Sequence, residues 1–394
     1  MASLKGMGAS ASGPSRRNAS LTDLVGYFLW LGAFGFGGPI ATVGYMQRDL
    51  VEKRGWLDRD DFLNGVALGQ TMPGPLAAQV CMWVGYLRAG ALGAFAVAIP
   101  FIFPSFVLVV GIGYFYRQYQ GLAVVQSLFY GIAPAVMAII VIASIKLARL
   151  TNRTDRRLWT ISAVVLVVTA ATASEIALLF VGAGLFMVLL DAPPARWHRA
   201  TPALIALPTK TTPLLVAAAS AGTFASLFLF FFKAGALIFG SGLAIVPFLR
   251  EGVVHQHHWL TERQFLDAVA VGLITPGPVV ITAAFIGYLV AGFTGAAVAS
   301  VGIFAPIYLG VVIPGGWFIR HKDHPRLRAF VKGATAAAAG AIGGATIVLT
   351  RRAVHDWATL AIALISLLVL WRFKLKEPVL VLAAAVAGLL LHSS

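Results

Sequence analysis

Gln70-Thr71-Met72-Pro73-Gly74-Pro75 lies inside an apolar stretch, and 203 residues later Leu273-Ile274-Thr275-Pro276-Gly277-Pro278 lies inside another. A proline within a helix removes a backbone hydrogen bond and clashes with the preceding turn, costing about 3 kcal/mol or more. Two prolines flanking a glycine should therefore end one half-helix and start the next, with the second proline suited to the first helical position. In hydrocarbon such broken backbone survives only where protein buries it or it lines a wet cavity. A half-helix start presents unpaired N–H groups and about half a positive charge, a ready site for an anion. One copy would read as a kink for close packing; two copies in register point to a substrate site.

Working outward, the same shift of 203 carries Trp56-Leu57 onto Trp259-Leu260, Phe62-Leu63 onto Phe265-Leu266, and Phe36-Gly37 onto Phe239-Gly240. From Trp56 to Pro75, 10 of 20 positions are identical to their counterparts. One deletion then changes the shift to 202, which aligns Gly85-Tyr86-Leu87 with Gly287-Tyr288-Leu289, Ala89-Gly90 with Ala291-Gly292, and Pro104 with Pro306. Glycine-rich apolar sequence resembles itself by chance, but chance does not bring tryptophan and proline into register. The chain is an internal duplication.

Composition sets the solvent. Of 394 residues, 59% are hydrophobic and 11% charged, with mean hydropathy +0.86, whereas a soluble domain carries about 25% charged residues. The excess apolar surface must face lipid. The net charge of +15 does not imply nucleic acid, because the basic residues sit in short clusters between apolar stretches, as cytoplasmic loops do. The lone cysteine, Cys81, excludes a disulfide framework and reads as a small core residue.

The expected fold is an all-α polytopic membrane protein of two homologous repeats, each of about six transmembrane segments, with helices broken at the Gly/Pro motifs. Residues 1–20 read as a cationic, disordered cytoplasmic tail, and no cleaved signal peptide is expected. The first repeat spans 21–192, a linker 193–222, and the second repeat 223–394. Lys146, Arg149, Arg153, Arg156 and Arg157 follow the fourth segment of the first repeat; Arg320, Lys322, Arg326, Arg328 and Lys332 follow the third segment of the second. If both basic connections face the cytoplasm, the repeats are inverted relative to each other. Six crossings per repeat would make them parallel, so inversion needs one odd crossing, for which 202–222 is a poor candidate because of Lys210 and Pro213.

The candidate substrate-binding residues are those at the breaks: Gly37, Gly38, Pro39, Gln70, Thr71, Pro73, Gly74 and Pro75, then Gly240, Ser241, Thr275, Pro276, Gly277 and Pro278. Gln79 and Thr282 are further polar groups nearby. Lys233 joins them because an intramembrane lysine costs about 2.5–3.5 kcal/mol and should face a cavity or partner. Its counterpart is Trp30, so it has no symmetric structural role. The competing reading is snorkelling to the interface. Two half-helix starts and one ammonium sum to about two positive charges, which suits a dianion. Glu175 and Glu377 read as helix-start acids, and the Arg48–Asp61 stretch as a solvated mixed-charge connection. His255, His257 and His258 lack metal-ligand spacing and read as loop residues. No nucleophile elbow, metal motif or phosphate loop is present, so neither an enzyme nor a cofactor is expected.

The paired Phe36-Gly37-Gly38-Pro39 and Pro73-Gly74-Pro75 signatures, their second copies and the Trp-Leu before the second segment resemble those of the long-chain chromate ion transporters. The resemblance covers nearly all of the chain after residue 20. It implies export of chromate across the bacterial inner membrane, driven by the proton-motive force, through halves of opposite orientation. Carried over position by position, it covers Phe36, Gly37, Gly38, Pro39, Pro73, Gly74, Pro75, Gly240, Pro276, Gly277 and Pro278; the second copy departs at Ser241 and Gly242. The partners expected are an oxyanion and membrane lipid, without nucleic acid, and a homodimer is left open. Chromate and sulfate are similar tetrahedral dianions that the residues themselves do not separate. A channel or a membrane scaffold without coupled transport is the alternative of another class.

Overall fold

The first repeat opens on a helix with a clear start signal. The structure, a computed structural model, describes residues 19–36, 38–172, 177–193, 222–238, 245–317, 324–373, 375 and 377–392. Ser20 caps α1 (Leu21–Phe34) through a reciprocal pair of hydrogen bonds with Asp23. The chain breaks at Gly35, resumes as α2 (Gly38–Met46) and widens into π-helix over Gln47–Lys53. Asp58 caps α3 (Arg59–Thr71), which ends at the first Pro-Gly-Pro. There follow α4 (Leu76–Tyr119), α5 (Ala123–Asn152), α6 (Arg156–Thr172) and α7 (Ala177–Asp191).

The second half repeats the order with α8 (Thr223–Leu237), α9 (Ile245–Arg250) with π-helix over Glu251–Gln256, and α10 (Glu262–Ile274), capped by Thr261 and Gln264. Then come α11 (Thr282–Val312), α12 (Pro325–Ala353, with proline at its start), α13 (Trp357–Phe373) and α14 (Glu377–His392). Among the described residues there is no strand. Among the described residues four runs are long and apolar enough to cross a membrane: α4, α5, Val279–Trp317, which contains α11, and α12. Leu92, Trp357 and Leu390, each at least 74% exposed, belong to an outer apolar surface that suits lipid contact.

α4 is a hairpin rather than one 44-residue rod. Ala89 and Gly90 leave helical geometry, Gly90 at φ 58°, ψ −147°, a region open to glycine. The chain reverses there, so the Cys81 thiol reaches the carbonyl of Val97 at 3.6 Å, 16 residues away. In a straight helix those residues would stand about 24 Å apart. The two arms touch backbone to backbone: a Cβ on Gly85 would lie 2.3 Å from the Gly93 oxygen. α11 does the same at Ala291-Gly292, where a Cβ on Gly287 would lie 2.3 Å from the Gly295 oxygen. The recurrent Ala-Gly pair is thus the turn between the second and third apolar segments.

The halves interlock crosswise. α6 and α7 of the first half pack on α12 of the second, while α13 and α14 pack on α5. Small residues permit it: a Cβ on Gly333 or Gly340 would lie 2.2 Å from the carbonyl oxygen of Ala183 or Ser162. Gly131, the counterpart of Gly333, meets the Ala384 oxygen in the same way at 2.0 Å. Ser162 also donates to the Ala336 carbonyl at 2.7 Å and accepts from Asn152 at 2.9 Å. Asp191, at the end of α7, pairs with Arg157 at the start of α6 and with Lys332 near the start of α12. The described basic residues at the start of α6 and near the start of α12 therefore lie at the same end of the molecule.

Candidate functional site

The two Pro-Gly-Pro breaks meet the opposite half. The Gly74 amide donates to the carbonyl of Ile238, at the end of α8, at 2.6 Å. The Gly277 amide donates to the carbonyl of Gly35, at the end of α1, at 3.3 Å. Gly74 and Gly277 are counterparts, and so are Gly35 and Ile238, so one pseudo-twofold relation generates both bonds. Each break after a first helix is thereby held against the break of the other half's third helix. Gly74 has φ +141° and Gly277 φ +86°, conformations that L side chains rarely adopt. Glycine is needed there to aim the amide across.

Beyond each break the next helical start lacks a side-chain cap. Pro75 and Pro278 sit at the capping position, one residue before the first helical residue, where the sequence reading puts them at the first helical position. Their extended ψ angles of 120° and 127° explain the difference: the chain is still turning at the second proline. A prolyl cap has no side-chain acceptor for the first-turn amides, so the amide end and its partial positive charge stay available.

The sequence-predicted residues distribute unevenly. Pro73, Gly74 and Pro75 lie at one crossing contact and Thr275, Pro276, Gly277 and Pro278 at the other, with Thr275 buried and donating to the Gly272 carbonyl at 3.1 Å. Gly38 and Pro39 begin α2 and Thr71 ends α3; their side-chain surroundings are not described. Gly37, Gly240 and Ser241 lie outside the described residues, as does Glu175. Gln70 is exposed one residue before the end of α3. Lys233 is exposed on α8, five residues before Ile238, with its ammonium 5.7 Å from the centre of the Phe248 ring. Glu377 opens α14, as a helix-start acid should. Asp49 departs from its expected solvated setting: it is 8% exposed and takes the Arg48 guanidinium through two hydrogen bonds.

Of the three histidines, His257 has a packing role. His257 stacks on Trp259 at 4.2 Å, and its counterpart Arg54 stands over Trp56 at 4.4 Å. Each tryptophan amide donates to a backbone carbonyl six residues earlier, Trp56 to Leu50 and Trp259 to Val253, both at 2.8 Å. The Trp-Leu signature is therefore the cover of the π-helical turn.

Two residues at the breaks, Gln79 and Ser105, and a third on α10, Asp267, carry more than the sequence reading gave them. Gln79, wholly buried, donates to the Met72 and Pro73 carbonyls at 3.2 and 2.9 Å and so holds the first break together. Ser105 donates across the halves to the Pro276 carbonyl at 2.7 Å. Asp267 on α10 is 3% exposed and accepts from the Tyr116 hydroxyl at 2.6 Å. A lone acid in an apolar run was a signal for Asp267; nothing distinguished Ser105 from a packing serine.

A family model described as chromate transporter matches the chain twice, over residues 22–188 and 225–389. A probable chromate transport protein of Synechococcus elongatus is 47% identical over 387 residues, 95% of this chain and 96% of that protein. A chromate transport protein of Cupriavidus metallidurans is 46% identical, covering 95% of this chain and 94% of its own length. A third relative, from Pseudomonas aeruginosa and likewise described as a chromate transport protein, is 31% identical over 389 residues. No solved structure matches.

Proposed function

The chain belongs to the chromate transporter family, and from that premise we propose that it exports chromate across the bacterial inner membrane by alternating access. It is a multi-pass membrane transport protein and not an enzyme. The observation that carries the reading is the pair of reciprocal bonds, Gly74 to Ile238 and Gly277 to Gly35. Each sets an uncapped helix start of one half against the broken first helix of the other. Electropositive amide ends at a repeat interface suit a tetrahedral dianion, and Lys233 supplies the remaining charge.

Inversion of the halves is the orientation this mechanism uses. It is supported by Asp191, which ties the connection after α5 to the start of α12. With both basic connections in the cytoplasm, α5 and α12 run in opposite directions across the bilayer. One half then rocks against the other about the crossing bonds, opening the site to either side in turn.

Inside-out membrane vesicles with and without the protein test the reading through uptake of labelled chromate, repeated with excess sulfate and with an uncoupler. Protein-dependent uptake that the uncoupler abolishes is the expected result, and sulfate competition measures selectivity. Vesicles that contain folded protein yet take up no chromate would overturn it. Lys233→Met should lower uptake severalfold; an unchanged rate removes Lys233 from the site.

A further inference from the structure

We propose that Asp267 is the proton-carrying group of this transporter, reached from solution through a cavity at the mouth of α10. The proposal rests on the chromate-transport reading above and names the residue that couples it to protons.

The cavity has a volume of about 200 Å³. Its walls are the end of the second arm of α4 (Tyr116, Gln120), the start of α5 (Gln126) and the first turns of α10 (Thr261, Gln264, Asp267). Polar side chains dominate it, in a protein whose other buried surface is mostly apolar. Gln264 donates to Gln120 at 3.1 Å across its width. Asp267 accepts from the Tyr116 hydroxyl, and that ring is wedged edge-on between Phe129 and Phe285, each at 5.4 Å.

The charged and titratable groups around it are few. Arg263 acts on Asp267 from its own helix, Tyr116 faces it from α4, and α5 presents Val125, Gln126 and Phe129, none of them titratable. No cation forms an ion pair with Asp267 among the described residues, which distinguishes it from Asp49 and Asp191. A buried carboxylate in a membrane protein without such a partner exchanges its charge for a proton readily, and intramembrane acids mark proton relays.

Position fits coupling. Asp267 lies six residues beyond Thr261 and eight before Thr275, so it stands about 9 Å from the mouth of the helix and about 12 Å from the break. One helix thus links the proton group to the proposed anion site. In the orientation above the start of α5 is external, so the cavity opens toward the side of higher proton activity. The carboxylate takes a proton from that side and releases it to the cytoplasm as chromate leaves. At the pseudo-equivalent place the first half has Asn64, and Tyr116 is matched by Phe318, so the titrating pair occurs once per chain.

The test uses the purified full-length protein in proteoliposomes. Chromate accumulation driven by an imposed pH gradient is measured beside chromate–chromate exchange without a gradient. Asp267→Asn should lose the accumulation while exchange persists. Accumulation at the wild-type level would overturn the proposal, and so would loss of both modes in a variant that melts like the wild type. Tyr116→Phe should keep accumulation with a displaced pH profile; an unmoved profile counts against the pair. Infrared difference spectra between acid and alkaline buffer read proton binding without chromate. A carboxylic C=O band that vanishes in Asp267→Asn is expected, and a wild type with no such band overturns the proposal. Wild-type protein that moves chromate in neither mode would instead overturn the chromate reading, with the infrared band still deciding whether Asp267 binds a proton.

Discussion

The first and second halves make the same crossing bond in different surroundings. At Gly74 the neighbour is the end of the Gln79 side chain, with Ile307 behind it; at Gly277 it is Ser105, already bonded to the Pro276 carbonyl. α3 is partly exposed, while α10 is buried continuously from Phe265 to Leu273. Ten residues separate Pro75 from Gly85 (85 − 75) but nine separate Pro278 from Gly287 (287 − 278). The structure absorbs that deletion with a 3₁₀ turn over Val279–Ile281, where α4 starts directly in α-helix. Three 3₁₀ residues rise about 6 Å, as four α-helical ones do, so the crossing geometry survives. Duplication therefore preserved the backbone bonds and left the side chains around them free to diverge.

The largest expected effect probes what the halves share. Gly85→Val and Gly287→Val each drive a side chain into a backbone oxygen that cannot withdraw, so each should cost about 3 kcal/mol or more. Thermal unfolding in detergent checks this, and a marked inequality would break the equivalence of the two hairpins. The next effect probes where they differ. Gly277→Ala meets the Ser105 oxygen at 2.3 Å, whereas Gly74→Ala meets the Gln79 amide group less closely, at 2.8 Å. Chromate transport should therefore fall by about tenfold or more for Gly277→Ala, equivalent to about 1.4 kcal/mol, and by less for Gly74→Ala. Equal losses would mean that backbone strain alone governs both. The smallest effect concerns a feature of one half only. Arg250, 4% exposed, forms an ion pair with Glu262, while their counterparts are Gln47 and Arg59. Arg250→Met should cost about 1 kcal/mol, because the Glu262 carboxylate it leaves is partly exposed and keeps His255 at 3.5 Å. Gln47→Met should leave the melting temperature nearly unchanged.

Much of this was legible in the residues. The Pro-Gly-Pro copies located both breaks, the shift from 203 to 202 located the deletion, and the aligned Ala89-Gly90 and Ala291-Gly292 pairs stand at the hairpin turns. Capping residues Ser20, Asp58 and Thr261 stand where their helices begin. Lys233 was singled out by its cost in an apolar run, yet the run alone could not aim it at Phe248. Asp267 shows the converse: its burial and its tyrosine partner come from α4, 151 residues away in sequence.

By itself the sequence determined that the chain lives in a membrane, that it is doubled, and where its helices break, because hydropathy, register and proline act locally. Only the tertiary structure decided that each break is held by the other half, that α4 and α11 fold back on themselves, and that basic residues near the starts of α6 and α12 share one end. The physical reason is that these contacts run through backbone amides and carbonyls. Every residue type but proline carries the same pair of groups, so side-chain identity carries no mark of which carbonyl an amide will meet.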